Sequence, residues 1–126
     1  MAAQFEVRAD TVKNRLYMRL AGFFREADIR PTMVKLEEEL DRLAPEFDIV
    51  IDISQFMPGS AKAAEALRKG GEMVKSRGRR RAVRIAGGII TGFMQFKRVL
   101  GGVFAEDETV RYASSMAEAD RILDEW

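Results

Sequence analysis

Asp52, Ser54 and Ser60 come nearest, in type and spacing, to a chemical site in this chain. That carboxylate and both hydroxyls fall in the stretch Phe47 to Ser60, FDIVIDISQFMPGS, which also holds Asp48. The chain has no His, which removes the commonest general base at neutral pH and the commonest metal ligand. It has no Cys, so disulfides, thiolate nucleophiles and Cys-ligated metals are excluded. Carboxylate or oxygen-ligand chemistry stays open, but no spacing of Asp and Glu predicts a catalytic pair or a metal set. The reading is a non-enzymatic protein with no cofactor and no metal.

The elements that position these residues are legible. Ile49, Val50, Ile51 and Ile53 form a β-branched run, broken at Pro58-Gly59 and followed by a helical pattern. This predicts a central parallel strand buried on both faces. The end of such a strand, before a helix N-terminus, is where open α/β sheets place their sites. Ser60 has a plain role as the N-cap of the next helix, worth about 1 kcal/mol. Asp52 is placed to hydrogen-bond loop amides.

The remaining elements follow in order. Phe5, Val7 and Ala9, then Leu16, Met18 and Leu20, alternate with polar residues and predict two half-buried strands paired as an edge hairpin. Ile29, Met33, Leu36, Leu40 and Leu43 line one face of a helix over about 26–43, with Asp28 as N-cap and Pro31 in the first turn. Glu37, Glu38, Glu39 and Asp41 fill its other face, a pattern more often solvated than bound to a cation or basic partner. The second helix, 60–77, is rich in small residues that permit close approach, most simply to the sheet. Its Gly70-Gly71 pair implies a kink or a tightly packed neighbour.

Ser76 to Arg81, SRGRRR, ends that helix with Gly78 at C′. Its arginines read more readily as a helix end and solvated turn than as a phosphate grip. AVRIA, 82–86, is a further strand. Gly87-Gly88 opens a third helix, about 90–104, apolar around most of its circumference. That helix is either core or a greasy surface for a partner or apolar ligand. A strand at 109–113 and a helix capped by Ser114 or Ser115 close the chain, with Met116, Ala119, Ile122, Leu123 and Trp126 facing inward. The order β-β-α-β-α-β-α-β-α predicts one α/β domain over 1–126, with a mixed, mostly parallel central sheet.

Composition sets the class. The chain has 126 residues, 47% hydrophobic and 33% charged, with net charge +1. That balance gives no global bias towards nucleic acid or membrane. MAAQFEVRAD lacks a signal-peptide core, and the longest near-uncharged stretch is too short to span a bilayer, so a cytoplasmic protein is expected.

The element order, with Asp52-Ile53-Ser54, Phe56-Met57 and Pro58-Gly59-Ser60 at the central turn, resembles the STAS domain of bacterial anti-sigma factor antagonists. The family's turn reads D-[LI]-S-x-(x)-M-D-S-S-G, and a partner kinase phosphorylates the first serine of its D-S-S. Aligned on Phe56-Met57, that acceptor falls on Gly59, so it is missing unless Ser60 or Ser54 substitutes. The tail VRYASSMAEADRILDEW looks like that of SpoIIAA-like relatives, which have been likened to lipid-binding SEC14 folds. The resemblance implies a regulatory module that docks a protein such as an anti-sigma factor or kinase-like regulator. The docking surface is expected on the turn 55–60 and the helix after it, with Asp52, Ser54, Gly59 and Ser60 central. A bulky acidic residue at Gly59 is then expected to abolish docking without unfolding the domain. The alternative is an apolar ligand or lipid held against Phe93, Met94, Phe96, Leu100 and Phe104. An exposed apolar face could equally make a homodimer.

Overall fold

The computed structural model describes residues 2–86 and 108–126. Five strands, β1 (Gln4–Asp10), β2 (Arg15–Phe24), β3 (Phe47–Pro58), β4 (Arg79–Ile85) and β5 (Val110–Ala113), form one sheet in that order. The β1–β2 pair is antiparallel and the other three are parallel. Helices α1 (Glu26–Leu40), α2 (Ala61–Ser76) and α3 (Met116–Glu125) pack against it. The order of these elements matches the one expected from the sequence. The expected third helix, about 90–104, lies outside the described residues.

The central strand carries the core. Leu16, Met18, Leu20, Ile49 and Ile53 join Ile29, Leu36 and Leu67 in the cluster beneath α1 and α2. Alternate residues Tyr17, Val50, Val83 and Ile85 face α3, where Ala119 and Leu123 meet them. This two-sided burial is what the β-branched run predicts for β3.

β2 departs from the half-buried expectation, because it lies between β1 and β3 and is covered on both faces. Two of its polar side chains, Arg15 and Tyr17, are absorbed by α3. Arg15 bonds Asp120 at 2.8 Å and Asp124 at 3.0 Å, and the Tyr17 hydroxyl donates to Asp120. The end of α3 is held further by Arg111, whose guanidinium lies 3.9 Å from the centre of the Trp126 ring.

α1 begins at Glu26, as its spacing suggested, but not through the expected Asp28 cap. Arg25, in extended conformation, is the N-cap, and Asp28 lies three residues inside, accepting the Arg25 amide at 2.9 Å. Pro31 is therefore in the second turn, where it costs a helix hydrogen bond. Burial of Ile29, Thr32, Leu36 and Leu40 outweighs that loss. Leu43 lies past the helix end and still packs on the same core.

Nor is the acidic face of α1 wholly solvated. Glu39 is only 6% exposed. Its carboxylate accepts the Ala9 amide at 3.0 Å and pairs with Arg42 at 3.2 Å. An edge strand leaves backbone donors without a ladder partner, and Glu39 supplies one.

The small residues of α2 serve another helix as well as the sheet. A Cβ on Gly70 would lie 3.1 Å from Met33 Sδ, so α2 closes on α1 at this point. The arginines after α2 are internally engaged. Arg77 bonds Asp41 at 2.6 Å, while Arg80 and Arg81 meet Asp48 at 3.1 and 3.0 Å. Burial alone would raise the Asp48 pKa, but hydrogen bonds from Arg81 and Arg80 outweigh it and hold the carboxyl below the ordinary carboxylate range.

A depressed folded-state pKa adds stability that is present above the unfolded value, 3.8, and lost as pH falls through the folded one. Asp48→Asn should lower unfolding stability at neutral pH by about 1.5–3 kcal/mol, since it takes the carboxylate from Arg80 and from the mostly buried Arg81, which keeps its bond to the Trp126 carbonyl. Urea titrations at pH 7 and pH 3 should show the variant's deficit narrowing at the lower pH.

Candidate functional site

The candidate site lies at the C-terminal ends of β2 and β3, where they run side by side to Phe24 and Pro58. The two strands do not keep one register. Arg19 pairs with Asp52, whereas Ala21 pairs with Gln55, so Ile53 and Ser54 together oppose Leu20. That is the count of a β-bulge, with one extra residue on β3. Bulged amides lose their ladder partner, and here Asp52 supplies the acceptor. Asp52 Oδ1 takes the Ser54 amide at 3.0 Å and the Ser54 hydroxyl at 2.7 Å. Arg19 Nε lies 4.0 Å from the other carboxylate oxygen.

The extra residue inverts the pleat. Before it, odd-numbered residues of β3 (Ile49, Ile51, Ile53) face α1 and α2. After it, Phe56 packs in that core, its ring 5.3 Å from the Phe24 ring. Met57 is turned to the opposite face, paired in register with Phe23. Both are open to solvent, Met57 at 59% and Phe23 at 44%. Two large apolar side chains thus stand together at the end of the sheet.

Gly59 completes this edge. Its amide donates to the Phe24 carbonyl at 2.7 Å. A Cβ there would come 2.6 Å from that oxygen and 2.8 Å from the Phe23 ring. No side chain fits without moving backbone, so a bulky acidic residue at Gly59 would disturb the turn itself and would not isolate docking from folding. Ser60 then caps α2, its Oγ accepting the Ala63 amide at 3.0 Å.

The structure therefore gathers Asp52 and Ser54 into a bulge clamp and Gly59 and Ser60 into the turn that opens α2. Phe93, Met94, Phe96, Leu100 and Phe104 lie outside the described residues. Sequence reasoning missed Phe23. The signal was present, because adjacent Phe23 and Phe24 in one strand must point to opposite faces. No group of three or more acidic side chains among the described residues is arranged to hold a metal ion. No described helix is long and apolar enough to cross a membrane.

The architecture has a solved counterpart in an uncharacterized protein from Shewanella loihica PV-4, of the DUF3478 family with a SpoIIAA-like fold. The two share 20% identity and a TM-score of 0.71, over 98% of this chain and 96% of that one. The likeness establishes a SpoIIAA-like fold, as the STAS resemblance implied. No protein-family model and no curated protein matches the sequence.

Two substitutions check the local assignments. Ser60→Ala should cost about 1 kcal/mol in urea unfolding through loss of the α2 cap. Asp52→Ala should cost about as much and speed hydrogen exchange at the Ser54 amide, whose acceptor it removes.

Proposed function

We propose that the protein is a non-catalytic interaction module that docks a partner protein through the Phe23–Met57 edge and the adjoining Gln55–Ser60 turn. The observation that carries this reading is the exposed Phe23–Met57 pair. A bulge turns it outward at the sheet end where α/β folds most often bind. Apolar anchors of this kind dominate the energetics of protein interfaces when a partner desolvates them.

The edge works without the phospho-acceptor of the family it resembles. The aligned position is Gly59, where the backbone is already closed onto β2. Of the two substitute serines, Ser54 donates its hydroxyl to Asp52, so a phosphate there would sit against a carboxylate. Ser60 stands at a helix N-terminus, where the dipole favours a dianion. The docking module is thus constitutive, and any phosphate control would act through Ser60.

Affinity capture of the tagged protein from its own cells, with Met57→Asp and Phe23→Ser as controls, tests the reading. The native chain should enrich a stoichiometric protein that both variants lose. The Met57→Asp variant should keep its unfolding midpoint within about 0.5 kcal/mol, as an exposed position predicts. Equal capture by the native chain and both variants would remove the edge from the interface. Capture of no protein by the native chain would sink the docking function.

A further inference from the structure

All sulfur chemistry in this chain belongs to methionine, since it has seven Met and no Cys. The described methionines differ in environment. Met18 is 4% exposed in the core beneath α1 and α2, and Met33 and Met73 pack against that core. Met116 packs against the cluster on the α3 side. Met57 alone among the described methionines belongs to neither cluster and is 59% exposed. The β3 bulge puts it there, while its neighbour Phe56 keeps the strand pinned to the core through Phe24. The edge has lost the aligned phospho-acceptor, but it carries an oxidisable thioether at the centre of its apolar pair.

We propose that Met57 is a reversible oxidation site, at which a peroxide turns the docking edge off. The inference rests on the docking reading of that edge and adds its control. Oxidation of a thioether follows access to its sulfur, so Met57 reacts ahead of the packed methionines. The sulfur lone pair attacks one peroxide oxygen, the O–O bond breaks, and the other oxygen leaves as water. Sulfur gives up two electrons and the peroxide takes them. The product is a sulfoxide, polar where the thioether was apolar. A partner that covers it must strip its water, and the Phe23 ring beside it offers no conventional hydrogen-bond donor in exchange. The core does not rest on Met57, so the fold carries the sulfoxide while the interface is lost. A dithiol reductase restores the sulfide, releasing the oxygen as water as its two thiols close to a disulfide.

The test treats the full tagged chain with hydrogen peroxide and follows each methionine by peptide mapping in a mass spectrometer. Met57 should convert about tenfold faster than Met18 and Met33, with no fall in the urea unfolding midpoint. A sample partly converted at Met57 is then incubated with a lysate of its own cells, and complexed chain is separated from free chain by size-exclusion chromatography. Sulfoxide at Met57 should be about tenfold scarcer in the complex than in the free pool. Treatment of the sample with methionine sulfoxide reductase and dithiothreitol should level the two pools. Both pools come from one sample, so oxidation at the other methionines is an internal control. Conversion of Met18 or Met33 as fast as Met57, a lowered midpoint, or equal Met57 sulfoxide in both pools would overturn the inference and leave docking standing. Absence of any complex with the untreated chain would sink the docking reading and this control of it together.

Discussion

Covering β3 on both faces is the constraint on which the other elements depend. A parallel strand in the middle of a sheet needs partners on both sides and a layer above and below. β2 and β4 supply the first, α1 with α2 and α3 the second. That requirement explains why β2 is covered on both faces, why α1 tolerates Pro31 and why α2 runs through two glycines. Each local irregularity sits where burial against this strand, or against a helix that covers it, compensates.

Charge does the joining at the periphery. In a chain without His or Cys, buried or half-buried carboxylates tie elements distant in sequence, among them Asp48 to the start of β4, Glu39 to β1, and Asp120 to Arg15 and Tyr17 on β2. Pairs of this kind recover little net energy, since both charges leave water to form them. What they specify is position, because removing one partner strands the other. Burial, followed by the hydrogen bond to Asp120, pushes the Tyr17 hydroxyl above its ordinary range and keeps it a neutral donor within that network.

Much of this was legible in the sequence, for a physical reason. Burial on two faces writes a continuous apolar run, and burial on one face of a helix writes a 3.6-residue stripe, so element order could be read from apolar residues alone. Caps were mixed. Ser60 and Ser115 show as small polar residues before apolar periodicity, whereas α1 is entered through Arg25, which carries no such signal. The buried ion pairs were illegible, because Glu39 and Asp48 have the composition of solvated residues and only tertiary placement distinguishes them. The candidate site was half legible. The turn from Pro58 to Ser60 announces itself, but the role of Asp52 depends on a register shift that no local pattern encodes.

That shift gives the edge an unusual logic of inheritance. Which side chain of β3 reaches solvent beyond Ser54 is decided by odd or even count from the bulge, not by the identity of any one residue there. Point changes can drift through 55–57 while the displayed face stays the same. Loss or gain of a single residue between Asp52 and Phe56 would exchange Phe56 for Met57 at a stroke, turning a core anchor outward and hiding the exposed one. Related chains that differ in length at this bulge would then present different chemistry from almost identical letters.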